Sequence, residues 1–188
     1  MKRTSLLIAF ATVSGISSLY AQGDSDSHTH NVSISIPNIA ILDIETTNAE
    51  DVTFALDAIG LDAGEEFIID EENSDLWINY TSILGATGNQ RSITVESSSI
   101  PSIAGLTLKV IASTHSGTGG GAVGIPTTVV TPSVVPTDII TGIGSSFTGN
   151  GNSNGHNLTY YLDFSGDFSD LNASAAPSVI AMTYTIVD

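Results

Sequence analysis

Apolar and polar residues alternate along most of this chain, so its hydrophobic pattern has a period of two rather than the 3.6 residues of a helix. Such alternation places one apolar face and one polar face on an extended strand. Gly-, Ser- and Asn-rich pieces separate the runs, as expected at turns. We therefore predict an all-β fold, an antiparallel β-sandwich of immunoglobulin-like or jelly-roll kind with about seven to nine strands. The clearest runs are residues 76–80, 93–95, 106–110, 158–164 and 180–186.

Three other segments have less regular patterns. Residues 39–42 are apolar on both faces, which predicts a central strand. Pro132 interrupts the valine-rich residues 129–135, and because proline cannot donate to a strand ladder, we expect this region at an edge or between sheets. Residues 49–61 fit a short helix and an extended segment equally well.

The first residues have the features of a secretory signal peptide. A positive start is followed by the apolar run 6–19 and by Ala21, a small residue suited to cleavage. We expect residues 1–21 to be removed, residues 22–31 to form a flexible acidic and His-containing N-terminus, and residues 32–188 to form one domain. No later apolar run is long enough for a transmembrane segment, so we expect a secreted mature chain.

The expected mature chain is strongly acidic. It keeps all twenty Asp and Glu residues but only Arg91 and Lys109 as strong bases, a formal charge of −18. Such a surface repels nucleic acid and anionic lipid. Because the chain has no Cys, its stability must come from packing and backbone pairing rather than from disulfides.

Residues 30–37, with the sequence HNVSISIP, predict a strand close to the expected cleavage site. Val32, Ile34 and Ile36 share one face, and Ser33 and Ser35 share the other. The strand can complete its own domain or be donated to a neighbouring molecule. Closure within the chain avoids the translational cost of association, so it is the favoured expectation.

Two glycine motifs resemble active-site loops only in composition. Residues 119–124 match G-x-G-x-x-G, but no helix pattern follows, so we predict a mobile loop rather than a dinucleotide site. Residues 142–149 miss the nucleophile-elbow spacing and predict a turn at a strand end. With no nucleophile and base in a recognisable pattern, we expect no enzyme activity, no catalytic residues and no cofactor.

The histidines give a weak metal signal. His28 and His30, with Asp24 and Asp26 nearby, have donor types suited to a transition metal, although an exposed N-terminus explains them more simply. His115 and His156 lie beside Gly-rich segments, and nothing in the sequence brings them together.

Residues 62–75 contain seven carboxylates in fourteen residues. Clustered carboxylates can supply the oxygen ligands of calcium, but the spacing differs from the EF-hand pattern. Solvated charge is the favoured interpretation, and a calcium site is the alternative.

Several short motifs spread along the mature chain resemble a recurrent pattern in secreted Gram-negative proteins of unassigned activity. The terminal strand and N-terminal extension are also loosely similar to those of fimbrial, or pilin-type, subunits and surface adhesins. This second resemblance implies an incomplete immunoglobulin-like sandwich that polymerises by strand donation, located extracellularly, at the cell surface or in the periplasm. The motifs are WINYTS at 77–82, RSITV at 91–95, GLTL at 105–108, IITGIG at 139–144, TG at 148–149, GHNLTY at 155–160 and MTYTI at 182–186.

We therefore expect a nonenzymatic extracellular structural module, adhesive or filament-forming, whose partners are further copies of itself or a cell-surface molecule. The alternative is a calcium-dependent or carbohydrate-binding module. In that alternative Trp77, Tyr80, Tyr160 or Tyr161 would form an aromatic binding platform.

Overall fold

A computed structural model of the chain describes residues 26–173 and 177–188. The chain divides into two units between Ser35 and Ile36, and every strand lies in the second unit. The expected signal peptide, residues 1–21, lies outside the described residues. The strands are β1 (Ile39–Thr46), β2 (Glu72–Ile83), β3 (Arg91–Ser97), β4 (Leu106–Ala112), β5 (Gly120–Pro126), β6 (Thr137–Phe147), β7 (His156–Phe164) and β8 (Met182–Val187).

The prediction of an antiparallel all-β fold is confirmed. All strand pairs are antiparallel, and the eight strands of the described residues form one sheet in the order β4-β7-β2-β6-β3-β8, with β1 on β2 and β5 on β6. The regular structure outside the strands in this part of the chain is one short 3-10 turn, Phe168–Asp170. Each of the five runs of alternation lies largely within a strand.

The sheet folds back on itself. β7 and β8 are separated by three strands, so their backbones would lie about 19 Å apart in a flat sheet with strands about 4.8 Å apart. The Tyr160 hydroxyl on β7 nevertheless lies 2.5 Å from the Tyr184 hydroxyl on β8. The link between β2 and β6 consists of two residue pairs, Thr81 with Phe147 and Ser82 with Ser146, which leaves the two halves free to face each other. This geometry is consistent with the predicted sandwich.

The core consists mainly of β-branched side chains contributed by both halves of the sheet. Such side chains pack well on a pleated surface, and each contributes about 1.5–3 kcal/mol when fully buried. The fully buried apolar residues are Ile78, Ile93, Val95, Val110, Ile139, Ile140, Ile143 and Leu158.

Two predictions about individual segments are wrong. Residues 39–42 belong to β1, which pairs with β2 alone among the described strands and is therefore an edge strand rather than a central one. Residues 120–124, expected in a mobile loop, belong to β5. A Cβ at Gly121 would lie 2.2 Å from the Ser145 carbonyl oxygen, so glycine is needed for β5 to approach β6 this closely.

Three further segments can be compared with their predictions. Residues 142–147 lie inside β6 rather than in a turn at its end. Residues 49–61 contain neither a helix nor a strand, and Val52 and Phe54 pack against the core. The valine-rich segment 129–135 connects β5 to β6, where Val130 forms a single antiparallel bridge with Val110 of β4.

The Arg91 guanidinium joins three distant parts of the second unit. Arg91 lies on β3 and is 3% exposed. Its Nε donates to Asp188 Oδ1 at 2.6 Å, and its Nη1 donates to Ser82 Oγ at 3.0 Å. Nη1 also donates to the Ile39 carbonyl oxygen, and Nη2 donates to Asn38 Oδ1. The start of β1, the end of β2 and the C-terminal residue are therefore held by one buried cation.

Replacing Arg91 by Lys is expected to lower the free energy of unfolding by about 2–3 kcal/mol, because one ammonium cannot serve acceptors spread around a planar fork. Urea denaturation at neutral pH measures the loss. Asp188→Asn is the matched control, since Asp188 is 73% exposed and the Oδ1 of an asparagine can still accept the hydrogen bond from Arg91 Nε. Equal losses in the two variants would contradict a central role for the guanidinium.

Gly155→Ala is expected to destabilise the chain by more than about 2 kcal/mol, because it combines a left-handed backbone with a steric clash. Gly155 has a φ of +81°, and a Cβ there would lie 2.1 Å from the Ile78 carbonyl oxygen. Gly151 has a similar φ of +89° with nothing within 4 Å, so Gly151→Ala reports the backbone strain alone. Thermal unfolding of the two variants separates these effects, and equal melting temperatures would rule out the clash.

Candidate functional site

The segment preceding β1 has an exposed apolar face. Residues 27–38 belong to no strand, and the Val32, Ile34 and Ile36 side chains are 75%, 87% and 75% exposed. The strand predicted over these residues is therefore not observed in the described part of the chain, and the expected closure within the chain is not seen there. No described strand pairs with the segment, so its backbone lacks the ladder that would hold it as a strand.

The edges of the sheet leave backbone groups available for pairing. In the described part of the chain β1 pairs with β2 alone and β8 pairs with β3 alone. The core-facing side chains of these two strands are partly rather than fully buried: Leu42, Ile44, Met182, Tyr184 and Ile186. The core is thus incompletely covered at two unpaired edges.

A buried polar cluster connects β2, β5 and β7. The His156 ring is fully buried, with Nδ1 2.8 Å from the Ser113 carbonyl oxygen. Its Nε2 lies 3.1 Å from the Tyr80 hydroxyl and 3.2 Å from the Val123 carbonyl oxygen. The Tyr80 hydroxyl donates to the same Val123 carbonyl. The His115 ring packs edge-on against His156, with ring centroids 5.8 Å apart.

This cluster is built to hold strands together. Burial lowers the pKa of His156 and raises the pKa of Tyr80, so both groups are neutral at neutral pH. Their polar atoms face backbone carbonyl groups and each other, and the contacts of His156 include no hydroxyl or thiol activated as a nucleophile. The sequence pattern did not bring His115 and His156 together, because the 40 intervening residues include two complete strands.

The free energy of unfolding is expected to fall as the pH drops below about 6.5, the usual pKa of His in an unfolded chain. Because the pKa of His156 is lowered in the fold, the unfolded chain binds the proton more tightly, and acid favours unfolding. The contribution is at most about 1.4 kcal/mol per pH unit. Urea denaturation of wild type and His156→Gln between pH 7.5 and 5.5, a range of about two units around that pKa, measures it. Parallel pH curves would contradict the assignment.

The other sequence candidates are not assembled into a metal site. His28, His30 and Asp26 are exposed, and Asp24 lies outside the described residues. All but one of the seven carboxylate residues of 62–75 are exposed, and Asp75 is half-buried and bonded to Asn48 and Asn73. Within residues 26–173 and 177–188, no group of three or more His, Cys, Asp or Glu side chains is placed to hold a metal ion.

Two of the four side chains predicted as candidates for an aromatic binding platform are buried. Tyr80 and Tyr160 are 4% and 3% exposed, and both belong to the core. Burial raises the pKa of Tyr160 to about 12, as expected for a hydroxyl shielded from water. Trp77 and Tyr161 are half-buried on β2 and β7. Tyr80 and Tyr160 are therefore excluded from a surface platform, whereas Trp77 and Tyr161 are partly exposed.

Comparisons with known proteins give no functional assignment. No protein family model matches the chain, no curated protein matches it, and no solved structure is similar to it. Among the described residues, no helix has the length and apolar character needed to cross a membrane.

Proposed function

We propose that this chain is a secreted, nonenzymatic structural module of the extracellular space or cell surface, adhesive or filament-forming, which assembles by offering its N-terminal segment to another copy. The observation that carries the proposal is the exposed apolar face of Val32, Ile34 and Ile36. Three large apolar side chains in strand phase, which no strand of the described residues pairs with, have the pattern of a strand that is completed by a neighbour.

The free energy of association favours strand donation only if the backbone of the N-terminal segment also forms hydrogen bonds with the partner. Burying Val32, Ile34 and Ile36 contributes about 1.5–3 kcal/mol each. Ordering the five residues 32–36 costs about 1–2 kcal/mol per residue, so these terms nearly cancel. A ladder of hydrogen bonds must supply the remainder, and the unpaired edges of β1 and β8 offer the necessary donors and acceptors.

The negative charge of the chain is compatible with assembly through specific contacts. Net repulsion between strongly acidic copies opposes nonspecific aggregation, while short apolar strands still form directed contacts. Repulsion is also screened by salt, with a Debye length of about 8 Å at physiological ionic strength. Assembly should therefore be stronger in salt than in dilute buffer.

The test uses the expected mature chain, residues 22–188, examined by analytical ultracentrifugation and electron microscopy. Ile34→Asp is expected to weaken association by about 10- to 100-fold, because it replaces about 1.5–3 kcal/mol of apolar burial with a charge. Ser35→Asp adds the same charge at the next position, which faces the opposite side of an extended strand. It is therefore the matched control and should associate nearly as well as wild type.

Two results would contradict the proposal. One is a wild-type chain that stays monomeric at all accessible concentrations and salt conditions. The other is equal weakening by Ile34→Asp and Ser35→Asp, which would indicate a general charge effect rather than burial of one strand face.

A further inference from the structure

An open concavity lies beside β1 and β2. Its volume is about 320 Å³, and its lining includes Ile41 and Asp43 from β1, Asn79 from β2, and Phe147 and Asn150 from the end of β6 and the following loop. The volume is at the lower end of the range of about 300–1,000 Å³ found for small-molecule sites.

Asn79 leaves a hydrogen-bond acceptor unused in the wall of this concavity. Its side chain is 4% exposed, and its Nδ2 donates to the Gly151 carbonyl oxygen at 3.3 Å. Its Oδ1 is buried and has no hydrogen-bond partner in the described part of the chain. Asp43 lies directly opposite Asn79 in the β1–β2 pair. Buried acceptors in native proteins are usually paired with a protein group, a water or a ligand, so Asn79 Oδ1 is an acceptor that a ligand donor in the concavity can satisfy.

The loop beside Asn79 is held in place before any ligand arrives. Thr148 is fully buried, and its Oγ accepts from the Tyr80 backbone N–H at 2.9 Å. Asn154 Oδ1 accepts from the Thr118 backbone N–H at 2.8 Å, while its Nδ2 donates to the Asn150 carbonyl oxygen at 2.9 Å. A preformed wall lowers the entropy that binding would otherwise lose.

We propose that this concavity binds a neutral polyhydroxylated ligand, the chemistry of a sugar unit in an uncharged glycan. Hydroxyl groups would donate to Asn79 Oδ1 and to the Asp43 carboxylate, while the apolar face of a sugar ring would contact Phe147, which is 53% exposed, and Ile41, which is 62% exposed. This proposal is independent of strand donation.

Other ligand classes fit less well. A single cation occupies roughly the volume of one water, about 30 Å³, and leaves most of the concavity unfilled. Acidic ligands are disfavoured because Asp43 contributes a negative charge and no basic side chain lines the concavity. The site therefore favours ligands that carry hydrogen-bond donors and no negative charge.

The test is an NMR titration of the isotopically labelled mature chain with neutral disaccharides, namely maltose, cellobiose, lactose and diacetylchitobiose, and with digalacturonic acid as the acidic comparison. At least one neutral probe is expected to shift the amide signals of Asp43, Asn79 and Phe147 with millimolar or tighter affinity, and digalacturonic acid is not. Phe147→Ala should weaken that binding about tenfold or more. Phe168→Ala, which truncates a phenylalanine that is 57% exposed on the 3-10 turn, should change it less than about twofold.

Asp43→Ala provides a second variant, because Asp43 is exposed and its loss does not threaten folding. It should also weaken binding of the neutral probe. The proposal is overturned if none of the four neutral probes shifts these signals up to about 50 mM, if digalacturonic acid binds as well as they do, or if binding is insensitive to both Phe147→Ala and Asp43→Ala.

Discussion

The hydrogen bonds of one buried cation, the Arg91 guanidinium, hold together strands of the second unit. A guanidinium removed from water must find an acceptor for each group of donors, and Arg91 finds them on the Asn38 side chain, the Ile39 carbonyl, Ser82 and Asp188. These acceptors lie on β1, on β2 and at the C-terminus, whereas Arg91 lies on β3. They converge only if the sheet curves enough to bring the start of β1 and the end of β2 within reach of the Arg91 side chain. The Tyr160–Tyr184 hydrogen bond imposes the same curvature between β7 and β8.

The strands with regular alternation were predictable because burial of one face imposes a period of two on the sequence. The edge position of β1 was not, because an apolar sequence such as residues 39–42 specifies a strand without specifying how many neighbours it has. β5 was missed because its glycines resemble a loop, although they serve close approach to β6. Pairings such as Asp43 with Asn79 depend on register between distant strands, which single-sequence patterns do not contain.

The two proposed surfaces differ in size and in the kind of partner that each one fits. The N-terminal segment carries large apolar side chains and needs a long partner with free backbone groups, which only another sheet edge supplies. The concavity beside Asn79 is small, carries a carboxylate and an unused amide oxygen, and fits a compact hydroxylated group. A module with both features would be joined to its neighbours through one surface and to its surroundings through the other.

The contacts of Arg91 also determine when the fold can be completed. The bond to Asn38 spans 53 residues and the bond to Asp188 spans 97, so the second is available only after the chain has emerged as far as residue 188. Until both ends arrive, the guanidinium remains hydrated and β3 lacks its final neighbour β8. Non-local contacts of this kind make folding slow. Folding of a chain with this topology therefore cannot be completed before β8, the last of the described strands, is available to pair with β3.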